Sequence, residues 1–273
     1  MRMPRRGWRL AEPDAPGPTS LDPVVARRIP AHGARVRAVS DELPFHLPPV
    51  DPDTATTESV SAYVSPELLA GLLADGDDEL AGWTLRQALE ESSRTAVFDG
   101  LLRDAMRLVG DRWRSGRWSI AEEHLASRTL LRALERIRPE LGPQGRVGPL
   151  AVLAGVAGEQ HMIGLVCLEQ VLAEDGWSVA NLGADMPAED LGTFVDRNDV
   201  ALVALSAISG DRVRELTECV AAVRTAARGR TIAILVGGQV ANVPGLRTTL
   251  QVDAVARSTA EAVERARVHR PEA

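Results

Sequence analysis

From residue 150 onward the chain alternates short, nearly uninterrupted apolar runs with stretches of helical period, and this alternation restricts the fold more than any other feature. Leu150–Gly155, Ser178–Leu182, Val200–Ser206, Thr231–Val236 and Asp253–Ala256 read as strands. Runs this rich in Val, Ala, Leu and Ile, separated by about 10–15 residues of helical pattern, belong to strands buried on both faces. The pattern therefore predicts an α/β domain over residues 149–268 with a doubly wound, Rossmann-like or flavodoxin-like parallel sheet, followed by a tail at 269–273. In such sheets ligands bind beyond the carboxyl ends of the strands, so chemistry is expected in the loops at 156–161, 183–187, 206–210, 237–242 and 257–259.

Upstream the period is helical. Ser65-Pro66-Glu67 reads as an N-cap with proline in the first turn, leading a helix that ends near Gly76. A second helix is expected from Asp78 to Ser93 and a third from Ala96 to Trp113. A fourth starts at the capping box Ser119-Ile120-Ala121-Glu122 and stops before Pro139. Four helices with short links predict a four-helix bundle over 59–140. Residues 141–148, rich in Gly and Pro, read as a linker. The first 58 residues hold ten of the 17 prolines and no sustained periodicity, which predicts an extended or coil tail. Within residues 1–40 eight Arg face three acidic residues, a basic arm suited to a nucleic acid or to an acidic protein surface. It is too broken by proline for a helix-turn-helix reader.

Charge and cysteine content narrow the function classes. All 31 basic residues are Arg, yet the net charge is −7 and the isoelectric point is near 5.4, a poor match for DNA phosphates. Cys167 and Cys219 stand alone, without metal-ligand or disulfide spacing. No run approaches the ~18 apolar residues of a membrane span, and no secretory leader pattern opens the chain. These features predict a cytoplasmic protein with no membrane attachment.

The loop after the first strand carries Glu159-Gln-His161-Met-Ile-Gly164. Taken alone, His161 fits a helix cap or a local hydrogen bond. With Glu159 two residues away it also fits a metal ligand whose other ring nitrogen is held by a carboxylate. Only His124 and His161 lie in the expected folded core and cysteine ligands are absent, so a self-sufficient zinc cage is not expected. A metal that brings most of its own ligands fits better.

Glu159-x-His161-x-x-Gly164, Ser206-Ala207-Ile208 on the third strand, and Gly237-Gly238 after the fourth occur in the order and context that resemble the cobalamin-binding domain family. Leu182-Gly-Ala-Asp-Met-Pro187 also looks like that family's second-strand loop. The resemblance implies cobalamin bound base-off, with His161 as lower cobalt ligand. It places the nucleotide tail beside Ser206, where Gly237 and Gly238 allow close approach. Leu168 stands where the family often has Val.

In the helical part, Trp113-x9-Glu123-His124 admits a plain reading, with Trp113 in a core and Glu123 as a helix-start charge. It also resembles the signature of CarH-like B12-dependent photoreceptors, in which a four-helix bundle covers the upper cobalt face. That likeness implies adenosylcobalamin, with Trp113 packed on the adenosyl group and Glu123 and His124 touching it. Two departures stand out. The proline-rich tail occupies the place of the family's DNA-binding domain, which argues against direct operator binding. Arg114 occupies the place of the histidine that takes cobalt after illumination, and guanidinium cannot ligate. The stand-alone photocobilins are similar and add a linear tetrapyrrole, so a bilin such as biliverdin is carried as an open second chromophore.

The expected function is a light sensor rather than an enzyme, signalling through a homo-oligomer, a dimer first, or through a protein partner. A corrinoid carrier of a methyltransferase system and a light-independent B12-binding regulator are the alternatives. Trp118 and Trp177 are expected to pack, and the Arg-rich end after Arg265 to be solvated.

Overall fold

The computed structural model describes residues 64–138 and 148–271. The basic arm, the whole expected tail over residues 1–58 and nearly all of the linker lie outside these residues. The helical part comprises α1 (Pro66–Ala74), α2 (Asp78–Glu91), α3 (Arg94–Val97), a π turn (Phe98–Leu102), α4 (Arg103–Arg114) and α5 (Ile120–Arg136). Each start that follows a loop has its side-chain cap. Ser65 accepts from the Leu68 N–H, Asp77 from Leu80, Ser93 from Ala96, and Ser119 with Glu122 closes a capping box. Leu69, Leu73, Leu85, Leu130 and Leu134, all fully buried, fill the space between α1, α2 and α5.

The third expected helix is present but uneven. It begins two residues earlier than the sequence suggests and passes through the π turn at Phe98–Leu102, where one residue more than a regular turn is accommodated. The second ends at Glu91 rather than Ser93, because Ser93 is taken as the cap of the next helix.

After the unassigned stretch the chain forms β1 (Leu150–Gly155), α6 (Ile163–Glu174), β2 (Ser178–Asn181), α7 (Ala188–Arg197), β3 (Val200–Ser206), α8 (Val213–Ala227), β4 (Ala233–Gly237), α9 (Leu246–Leu250), β5 (Ala254–Val255) and α10 (Thr259–Val268). The five strands are all parallel, in the order β2-β1-β3-β4-β5. This is the doubly wound sheet expected, in its flavodoxin-like order. The fourth strand is shifted two residues from the expected start, since Thr231 and Ile232 only lead into it.

Alternation along each strand divides the core into two layers. Ala151, Leu153, Leu202, Ala204, Ala233 and Leu235 point to one face, where α6, α10 and the helical bundle share a single apolar cluster with them. Val152, Ala154, Val203, Leu205, Ile234 and Val236 point to the other, against α7, α8 and α9. Bundle and sheet are thus packed as one core. Polar contacts fix the join. Arg94 donates to the Ile137 carbonyl at 2.8 Å and to Gln170 at 2.9 Å, and the buried Gln170 amide donates to the Leu134 carbonyl.

Asp99, in the π turn, accepts from the N–H groups of Thr259 and Ala260, both at 2.9 Å, and so caps the first turn of α10. Because α10 follows β5, its N-terminus lies at the carboxyl edge of the sheet. The helical run from Arg94, beside the lower half of α6, reaches that edge at Asp99 and continues past it by fifteen residues, roughly 22 Å at 1.5 Å per residue. Trp118 N–H donates to the Arg112 carbonyl, turning the chain into α5, which returns toward α6. The far end of α4 and the start of α5 therefore stand beyond the carboxyl edge.

The C-terminal helix end is largely exposed, as expected, with the Arg267 side chain 65 % exposed. It is also tied down: Arg267 pairs with Asp175, and Arg270 donates to the Asp175 carbonyl while its guanidinium lies 5.0 Å from the Trp177 ring. No helix among the described residues is long and apolar enough to cross a membrane.

Candidate functional site

At the carboxyl edge the loop after β1 is held from three sides. Gly155 N–H donates to the Gly183 carbonyl and Met186 N–H to the Gly155 carbonyl, both at 2.8 Å, which zips the β1 loop to the β2 loop. Asp185, in left-handed backbone at φ 56°, accepts from the Gly158 N–H at 2.6 Å, while its own N–H donates to the Glu159 carbonyl. Arg212 donates to the Gly158 carbonyl at 3.0 Å from the opposite side. Asp185 was embedded in the expected second-strand loop, but its part in fixing the first loop carries no sequence signal of its own.

Glu159 is the centre of this arrangement. Only 4 % exposed, it accepts from the His161 N–H at 2.9 Å and shares a 2.5 Å contact with the His161 ring Nδ1 through one oxygen. Its other oxygen accepts from the Ile208 N–H at 2.7 Å. Burial alone would raise its carboxyl, yet the N–H groups of His161 and Ile208 and the imidazole outweigh burial and hold it below the usual range. Ile208 thus enters the site through its backbone. The His161 side chain is 68 % exposed. With Nδ1 committed to the carboxylate, Nε2 is the ring atom left to reach outward.

Ser206 ends β3, in register with Gly155 on one side and Gly237 on the other. The two glycines after β4 differ. A Cβ on Gly238, at φ 90°, would lie 2.2 Å from the Ala207 carbonyl oxygen, so the fold itself demands glycine there. A Cβ on Gly237 would make only ordinary contact. Gly164, in the first turn of α6, would place a Cβ with nothing within 4 Å. The protein's own packing does not demand glycine at 164.

On the bundle, Trp113 is 46 % exposed rather than in a core. Glu123 accepts from the Ser127 hydroxyl at 2.8 Å and contacts the His124 Nδ1 at 2.6 Å, and the His124 side chain is 70 % exposed. Arg114 pairs with Asp111. Trp118 packs against the core and faces the Arg112 guanidinium at 4.8 Å, and Trp177 is buried. Glu159, His161 and Ile208 are brought into direct contact, as are Glu123 and His124. No hydrogen bond or ion pair among the described residues joins the bundle group to the sheet-edge group.

The residues present fit a cobalt corrinoid. An outward imidazole braced by a buried carboxylate is the arrangement of a metal-ligating histidine, and a Cβ at 164 or 237 would meet no close neighbour. Two family models, each described as B12 binding domain, match residues 149–267 and 67–138, together well over half of the chain. Over 113 residues the chain is 41% identical to the HTH-type transcriptional repressor CarA of Myxococcus xanthus, covering 41% of this chain and 36% of that protein. It is 32% identical over 145 residues to the HTH-type transcriptional repressor CarH of the same organism, covering 53% of this chain and 48% of that one. The chain thus spans less than half the length of these relatives. In fold it is similar to the monomethylamine corrinoid protein of Methanosarcina barkeri, with TM-score 0.63 and 17% identity over 77% of this chain and 98% of that one. With both the helical and the sheet part matched, and the edge geometry agreeing, the chain belongs to the B12-binding domain family.

Proposed function

We propose that this chain is a light-responsive regulator that holds adenosylcobalamin between the carboxyl edge of its sheet and the far end of its bundle. When bound, that cofactor supplies a cobalt–carbon bond that visible light breaks. His161 would hold the lower face of cobalt through Nε2, with Glu159 fixing the ring's orientation and raising its basicity. Ser206, Gly237 and Gly238 would line the path of the nucleotide tail. Trp113 would cover the adenosyl group, with Glu123 and His124 beside it.

What supports this reading is the exposure of Trp113 and His124 near the end of the bundle, together with a braced and outward His161 at the carboxyl edge of the sheet. An aromatic side chain left uncovered at the tip of a packed bundle is suited to a flat ligand. Because the adenosyl group would contact the bundle and not the sheet, its presence biases the bundle position, which is a ligand-controlled two-state element. The output would be a changed contact with a second copy of the chain or with a protein partner.

The test is to load the protein with adenosylcobalamin in the dark, illuminate with green light, and follow both the visible spectrum and the mass in solution. A spectral change accompanied by a change in oligomeric mass or partner binding supports the reading. Absence of bound corrin sinks it, and a marked preference for methylcobalamin with no light response favours a corrinoid carrier. The same spectra after expression with biliverdin decide whether a bilin is a second chromophore.

A further inference from the structure

One side chain outside the sequence motifs reaches the loop that carries His161. Arg212 ends the short turn Gly210–Arg212 between β3 and α8, and it donates to the Gly158 carbonyl, fifty-four residues away, at 3.0 Å. That carbonyl belongs to the peptide joining Gly158 to Glu159. The N–H of the same peptide donates to the Val156 carbonyl at 2.9 Å, so the plane that leads into Glu159 is fixed at both ends. The peptides on either side are fixed as well, the Gly158 N–H by the Asp185 carboxylate at 2.6 Å and the Glu159 carbonyl by the Asp185 N–H at 2.9 Å.

The guanidinium lies close against this backbone. A Cβ on Gly158, at φ 78°, would stand 2.6 Å from the Arg212 Nη1, so glycine is what lets the two approach. Arg212 is directed in turn by Glu215, in the first turn of α8, whose Oε1 lies 3.8 Å from Nη1. The other oxygen, Glu215 Oε2, is buried with no hydrogen-bond partner. A buried carboxylate oxygen without a donor is costly, and it persists beside a guanidinium that gives its short hydrogen bond to the loop instead. The connection from β3 to α8 thus grips the β1 loop twice, through the Ile208 N–H on the Glu159 carboxylate and through Arg212 on the peptide before it.

We infer that Arg212 is a positioning residue for His161. By fixing the peptide before Glu159 it holds that carboxylate where the His161 Nδ1 meets it, at 2.5 Å, and so keeps Nε2 aimed outward. No hydrogen bond among the described residues joins Arg212 to the imidazole, so its effect passes through Glu159. The inference rests on the B12 reading for the identity of what Nε2 holds, and it carries the bracing of that ring one link further, to a side chain on another loop.

The experiment compares the full chain with Arg212→Ala, Arg212→Lys, His161→Ala and a control, Arg214→Ala, whose side chain is 81 % exposed and pairs with Glu218. Before loading, ring ¹⁵N shifts report the tautomer of His161, assigned by the signals that vanish in His161→Ala. After loading with hydroxocobalamin, equilibrium titration gives the affinity, and the nitrogen splitting in the electron spin resonance of the reduced cobalt(II) form reports whether the histidine is bound. In the parent the proton is expected on Nδ1, against Glu159, with the splitting present. Arg212→Ala is expected to keep the parent's thermal midpoint to within about 4 °C, to show a mixture of tautomers, and to bind the corrin about tenfold more weakly, the lower end of the loss seen when an outer partner of a metal-bound histidine is removed. Arg212→Lys, with one donor for the same carbonyl, falls between the two, and Arg214→Ala matches the parent. A parent-like tautomer and affinity in Arg212→Ala overturn this inference and leave the B12 reading standing, as does an equal loss in Arg214→Ala. A parent that retains no corrin overturns the B12 reading, while the tautomer comparison still decides whether Arg212 places the ring.

Discussion

Glu159 receives the backbone N–H of Ile208, forty-nine residues away, at 2.7 Å, and so ties the loop that carries His161 to the end of β3. The carboxylate does two tasks at once. It braces the imidazole and it locks two strand ends together. Replacing Glu159 with Gln keeps the size but removes the charge and one acceptor oxygen. We expect a 10- to 100-fold loss of cobalamin affinity, roughly the effect of losing an outer partner of a metal-bound histidine, measured by equilibrium binding of hydroxocobalamin. An unchanged affinity would show that the ring is held by other means.

The glycines predict opposite outcomes. Gly238→Ala must displace the Ala207 carbonyl and adopt strained backbone, and is expected to cost at least about 2 kcal/mol in urea unfolding. Gly164→Ala meets open space on a helix and gains helix propensity of up to about 1 kcal/mol. Its thermal midpoint should hold or rise while corrin binding weakens. Equal loss of stability in both variants would contradict the assignment of Gly164 to a ligand surface.

Trp113 separates function from folding in the same way. Because it is 46 % exposed, Trp113→Ala should change stability by no more than about 0.5–1 kcal/mol. Its effect should appear as a selective loss of affinity for adenosylcobalamin over hydroxocobalamin. Equal losses for the two corrins would argue that the side chain does not touch the adenosyl group.

Asp78 offers a pH test of the bundle. Burial would raise its carboxyl, but hydrogen bonds from Arg136 and Arg132 of α5 outweigh burial and set it below its ordinary 3.8. A carboxylate depressed in the folded state stabilises at pH values above its unfolded pKa and loses that contribution as pH falls through the folded one. Asp78→Asn should therefore cost about 1 kcal/mol at pH 7, and the gap from the parent should close as the pH falls below 3.8. Unfolding curves at pH 7, 5 and 3 measure it, and a gap that stays constant would mean that the charge is not responsible.

Much of this architecture is legible in the chain. β1 and β3 follow directly from apolar runs bounded by Gly and Ser, and the capping box at Ser119 and Glu122 marks the start of α5 to the residue. Local signals suffice where the determinant lies within a few residues. They fail where it is distant. The cap that Asp99 provides for Thr259 spans 160 residues, so no window of sequence contains it. The solvated end at Arg267 and Arg270 gives no hint of its partners because Asp175 and Trp177 lie more than ninety residues earlier. In the site, the pairing of Glu159 with His161 is readable from spacing, whereas Ile208 acts through its backbone N–H, which carries no residue signature, and the Asp185 carboxylate meets Gly158 across twenty-seven residues.

The π turn at Phe98–Leu102 has a consequence for where the bundle aims. One residue beyond a regular turn rotates everything after it by roughly 100° about the helix axis. Asp99 anchors the near side of that turn to α10, so the extra residue sets the azimuth of α4 relative to the sheet. Removing one residue there, Gly100 for instance, would leave the packing below Asp99 in place and swing Trp113 about a quarter-turn aside. The insertion behaves like the indexing pin on a shaft, deciding which side of the helix looks back at the sheet.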